Sequence, residues 1–132
     1  MGAEPYHYIV DYEDNLQAVL DKLRKHVFES GEFNGAEMNP STPEKALEMA
    51  SEEGTRSILD IMSISDQPEF CAAAPLTADE LQELFGTHNP TAEMVEENDA
   101  FWESLERGMA RYVISYEGDL PRRVFFAGYS FD

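Results

Sequence analysis

Between residues 57 and 106 the chain has no lysine and no arginine, yet it carries twelve carboxylates from Asp60 to Glu106. That stretch supplies −12 of a formal net charge of −18. A charge of this sign and size repels nucleic-acid phosphates and anionic lipid, so neither direct nucleic-acid binding nor a membrane surface is expected. It favours solubility and attraction to a basic partner. Cysteine is nearly missing as well. A lone Cys71 excludes an intrachain disulfide and a cysteine-rich zinc site, and it fits a reducing compartment. Residues 1–5 lack the basic and apolar regions of a secretory leader, and Tyr6 stands where a myristoylation signal has Ser or Thr. No apolar run approaches the ~20 residues of a membrane span. A cytoplasmic protein is the expectation.

The motifs of common chemistries are missing too. There is no phosphate-binding glycine loop, no dinucleotide fingerprint and no nucleophile elbow. His7, His26 and His88 form no pair at helical ligand spacing, and the acids show no EF-hand spacing. No metal, no cofactor and no catalytic group is expected. Cys71 lies in an alanine-rich, acidic neighbourhood that disfavours a thiolate, so it reads as an inert buried residue.

What the chain does contain is enough to fold. Disordered acidic chains have few aromatics, whereas 11% of these 132 residues are Phe, Tyr or Trp. The length fits one domain. Residues 6–12 alternate Tyr6, Tyr8, Val10 and Tyr12 against His7, Ile9 and Asp11, a strand pattern. A helix is expected from Asp14, with Gln17 completing a capping box and Gly31 as its stop. Its Lys22, Arg24, Lys25 and His26 read as cations in the last turns, complementing the helix dipole. Ser41, Thr42, Pro43 and Glu44 start a second, short helix.

Residues 57–63 and 70–74 are short and apolar and read as two strands of a hairpin. Thr77 and Glu80 form a clear capping box for the next helix, which Gly86 stops. A single helix is expected over 90–107, with Met94, Val95, Phe101, Trp102 and Leu105 on its apolar side. Residues 110–116 and 122–127 form a final hairpin whose strands are apolar on both faces, as strands inside a sheet are. The expected fold is α+β: a single domain over 1–132 in the order β-α-α-β-β-α-α-β-β, with a mainly antiparallel sheet of about five strands and helices packed on one face.

Two functional expectations follow. The first is a small protein-binding domain without catalysis, such as an immunity or inhibitor protein for a basic partner. Its contact face would be Glu93, Glu96, Glu97 and Glu103, the acids with no local structural reason. The second is a small-ligand or enzymatic domain. Its pocket would gather Asp60, Arg56, Tyr8 and Tyr112, because a carboxylate inside an apolar segment is costly unless paired or used. A homodimer through Lys22–His26 against the acidic helix is a further expectation, since the two patches differ in sign.

Overall fold

The computed structural model describes residues 5–50 and 54–131. Five strands form one sheet in the order β1-β5-β4-β3-β2: β1 (Pro5–Asp11), β2 (Ser63–Ile64), β3 (Ala72–Pro75), β4 (Ala110–Glu117) and β5 (Leu120–Tyr129). The described helices are α1 (Leu16–Ser30), α2 (Pro43–Ala50), α3 (Ala78–Phe85), α4 (Ala92–Glu96) and α5 (Asp99–Glu103).

The sheet is mixed, which corrects the expectation of a mainly antiparallel one. β1 and β4 flank β5 antiparallel, but β3 runs parallel to β4, and β2 runs parallel to β3. After β3 the chain crosses back through α3, α4 and α5 to the end of the sheet where β3 began, so β4 runs alongside β3 in the same direction. The expected hairpin at residues 57–74 is not formed. Ile58–Asp60 is a 3-10 turn, because Ser57 caps it through Leu59 N–H and Asp60 folds back onto Thr55. The strand starts later, at Ser63. Parallel neighbours usually need a connection of about a dozen residues. Here Ser65 to Cys71 suffices because β2 is two residues long and Cys71 adopts φ +62° to reverse the chain. The Cys71 N–H donates to Gly108 O, and Cys71 O accepts from Met62 N–H.

The helices also cover both faces of the sheet, not one. Successive residues of β5 alternate between two cores. Val124 and Phe126 pack with Leu20, Leu23 and Val27 of α1, Ala46 of α2 and the 58–61 segment. Phe125 and Ala127 pack with Val95, Phe101, Leu105 and Leu76 on the opposite side. Such two-sided burial explains why β4 and β5 are apolar on both faces.

Local signals account for the helix ends, with shifts. Asn15, not Asp14, caps α1 through Ala18 N–H, and Gln17 instead bonds Ile64 N–H and Asp21. Gly31 stops α1 as expected, but α1 runs to Ser30, so Lys22 to His26 lie mid-helix and no cation occupies the last turn. The expected single helix over 90–107 is two short ones. Asn98 breaks it and caps α5 by accepting from Phe101 N–H while donating to Leu84 O. After β5, Phe131 stacks on Phe70 with ring centres 5.0 Å apart.

Candidate functional site

The carboxylate that interrupts the apolar 58–62 segment is enclosed by the turn that carries it. Asp60 is completely buried. Its Oδ1 accepts from Thr55 N–H at 2.6 Å and from the Thr55 hydroxyl at 2.7 Å. Oδ2 has no hydrogen-bond partner among the described residues. It rests against Gly54, where φ is +73° and a β-carbon would lie 2.8 Å from Oδ2. Only glycine fits that backbone at that distance. Burial raises Asp60 above the ordinary carboxylate range, while the Thr55 contacts and the Arg56 backbone amide oppose the shift. Thr55 and Ser57, both buried, exchange a hydroxyl hydrogen bond at 2.8 Å.

Three further groups respond to the Asp60 charge. Burial first, then Asp60, pushes the Tyr6 phenol well above its usual value, and the Tyr6 hydroxyl has no partner among the described residues. Burial raises the Tyr8 phenol, opposed by its bond from Ile58 N–H, which the Tyr8 hydroxyl accepts at 3.4 Å. Burial and Asp60 raise the half-buried Cys71 thiol, which keeps it protonated.

Of the four residues expected to form a pocket, the fold brings together two side chains. Tyr8 reaches the Asp60 turn through Ile58. Arg56 is exposed and turns its backbone amide, not its side chain, to Asp60. Tyr112 lies in one cross-strand row with Tyr8 and Phe126, but it lines a different cleft, of about 120 Å³, with Leu81, His88 and Tyr116. Asp60 has no exposed surface, and among the described residues it lines none of the clefts named here. The arrangement ties residues 54–60 to the sheet face; it holds no open reaction space.

The four acids expected to meet a partner are all exposed, on α4, α5 and their ends. None is in an ion pair among the described residues. They are spread along the surface: Glu93 lines a cleft with Arg122 and Arg123, Glu96 and Glu97 end α4, and Glu103 ends α5. Trp102 sits between the last groups, its indole N–H donating to Glu96 O at 3.1 Å. The Lys22–His26 patch is weaker than expected, because Lys22 pairs with Glu13 at 2.6 Å and Arg24 is buried.

An aromatic cleft that the sequence does not announce lies over β1 and the end of β5. Pro5, His7, Trp102 and Tyr129 line an open hollow of about 360 Å³. His7 stacks on Phe125 at 5.4 Å and meets Trp102 edge-on at 5.6 Å. The signal was present in the alternation of β1, which separates His7 from the tyrosines, but nothing in the order of residues joins His7 to Trp102. Among the described residues no cluster of His, Cys, Asp and Glu has the arrangement of a metal site, and no helix is long and apolar enough to cross a membrane. No family model matches the chain, and no curated protein or solved structure matches it either.

Proposed function

We propose that this chain is a small cytoplasmic binding protein without catalytic activity, whose partner is a basic protein, as for an immunity or inhibitor protein. The observation that carries this reading is the state of Glu93, Glu96, Glu97 and Glu103: all exposed, none engaged in an ion pair among the described residues. Some other acids are paired within the chain, as Glu80 is with Arg111 and Glu13 with Lys22. Unpaired surface charges of one sign destabilise a fold slightly and attract a partner of opposite sign. Such complementarity acts mainly on association rate and specificity. The closed surroundings of Asp60 favour this reading over a ligand pocket, because a substrate needs a cleft and Asp60 has no exposed surface.

The test is retention of basic proteins from a cell lysate on the immobilised chain, at low salt and at about 0.5 M salt, where screening shortens to a few Å. The reading expects a discrete basic protein held at low salt and released at high salt. Absence of any salt-sensitive basic protein contradicts it.

A further inference from the structure

Among the described residues no strand pairs with the outer edge of β1, and a cleft lies on each side of it. Tyr12 N–H donates to Arg122 O, which continues the β1–β5 register and marks the even-numbered residues of β1 as those bonded to β5. The N–H and C=O groups of His7, Ile9 and Asp11 therefore point away from the sheet. Among the described residues none of these outer backbone groups has a backbone partner. The side chains of His7, Ile9 and Asp11 are exposed, Ile9 to 41%. Natural edges of this length are usually blunted by lysine, by an internal proline or by a bulge. Within β1 the only proline is Pro5, at its start, and it has no lysine.

On one face of this edge lies the aromatic hollow of Pro5, His7, Trp102 and Tyr129. Trp102 bonds the Glu96 carbonyl, and Glu96, Asp99 and Glu103, its neighbours on α4 and α5, are all exposed. The nearest cation along the chain is Arg107, which bridges to Tyr129 through its backbone. On the other face a groove of about 300 Å³ runs between β1 and α1, with an apolar floor of Val10, Val19 and Leu23 and a polar rim that includes Glu13, Lys22 and His26. A strand added to an edge sends alternate side chains to opposite faces.

We infer that β1 is a docking strand, which takes up an extended segment of a basic protein whose lysine or arginine residues alternate with aliphatic ones. The inference rests on the basic-partner reading above. The cations go to the Trp102 side, where aromatic faces and carboxylates both favour them. The aliphatic residues go over Val10, Val19 and Leu23. A second copy of this chain fits the edge less well, because each copy carries −18.

The experiment uses a synthetic peptide of alternating lysine and valine, and a control of equal charge in which prolines replace alternate valines. Amide hydrogen exchange is read at His7, Ile9 and Asp11 with and without peptide. The expected result is fast exchange of these amides in the free chain, slowed at least about tenfold on binding, and affinity for the proline control weaker by about tenfold or more, since each main-chain bond lost weakens binding a few-fold. Ile9→Pro, which removes only an outward N–H, and Ile9→Lys, which leaves the backbone intact, are both expected to weaken the lysine–valine peptide similarly. Equal affinity for both peptides, with the edge amides still exchanging fast, overturns the docking strand while leaving the basic-partner reading standing. Failure of the lysine–valine peptide to bind overturns the docking strand, and with no basic protein retained from lysate it overturns both. Edge amides already protected in the free chain also overturn the inference: independent of concentration, the edge is covered by the chain itself; rising with concentration, a second copy occupies it.

Discussion

Arg111 and Glu80 meet as a two-pronged pair, Nη2 to Oε1 at 2.6 Å and Nη1 to Oε2 at 3.3 Å. The same guanidinium donates to Ala74 O and Pro75 O, so one buried cation of β4 ties the end of β3 to the first turn of α3. Glu80 meanwhile closes the capping box with Thr77. One carboxylate thus ends a helix and anchors it to the parallel part of the sheet.

Removing the cation strands its partners. Arg111→Met leaves two strand-end carbonyls and Glu80 without their donor, and a loss of about 1–3 kcal/mol is expected, discounted because Glu80 is partly exposed. The hydrogen bonds from Arg111 hold Glu80 below the ordinary carboxylate range. Its stabilising contribution is therefore complete above the unfolded carboxylate value and is lost as pH falls through the lower folded value. Urea unfolding between neutral pH and pH ~3 should show that loss in the wild type and not in Glu80→Gln, measured near the unfolded carboxylate pKa and below.

Asp60 works in the opposite direction. Its folded value is raised by burial, so the folded state binds this proton more tightly than the unfolded chain does. The charge of Asp60 opposes folding at neutral pH, and that opposition fades as pH falls through the raised folded value towards the unfolded ~3.9. Asp60→Asn keeps the acceptor for Thr55 and removes the buried charge; it should match or exceed wild-type stability at pH 7 and lose the advantage in mild acid. Asp60→Ala leaves the Thr55 N–H unpaired and takes one acceptor from the Thr55 hydroxyl; it should cost about 1–3 kcal/mol, less at pH 7 than in mild acid, because only the wild type gains stability as Asp60 protonates. Chemical unfolding of the three proteins at pH 7 and pH ~4.5 separates the effects.

Tyr6 and Gly128 face each other across β1 and β5. A β-carbon at 128 would lie 2.6 Å from the Tyr6 hydroxyl and 2.8 Å from Met109 O. Gly128→Ala should therefore destabilise by roughly 1–3 kcal/mol through overpacking. Tyr6→Phe removes a buried hydroxyl that has no partner among the described residues, and it should be neutral or slightly stabilising. In the double variant part of the Gly128→Ala cost should return, which a thermal-unfolding cycle measures.

Helix starts were legible where a side chain caps its own backbone. Thr77 with Glu80 is a local arrangement, complete within four residues, and it formed as expected. The sheet type was not legible, because it depends on which end of the sheet the chain re-enters after α5. Ile58 to Met62 misled for a related reason. Its apolar run fits a strand, but Asp60 bends it by bonding Thr55, and that bond outweighs the pattern. The single helix expected over 90–107 failed at Asn98, whose side chain serves Phe101 N–H and Leu84 O at once. An asparagine between acidic residues carries no sign of that second partner. The burial of Asp60 was foreshadowed by its apolar neighbours. The hollow between His7 and Trp102 was not, since ninety-odd residues of chain separate its two walls.

If the carboxylates of α4 and α5 attract a basic partner as a particular face, their effect exceeds the pull of net charge. The most direct measurement compares two variants of equal charge. One carries Glu93, Glu96, Glu97 and Glu103 as glutamine. The other carries Glu29→Gln, Glu32→Gln, Glu37→Gln and Asp119→Asn, all at exposed positions. Each neutralises four carboxylates and takes the formal charge from −18 to −14. Stopped-flow association with the basic protein retained at low salt should slow about tenfold or more for the first variant and by no more than about twofold for the second. Equal slowing of both variants would contradict the account, because the acidity would then act as a diffuse field with no dedicated face.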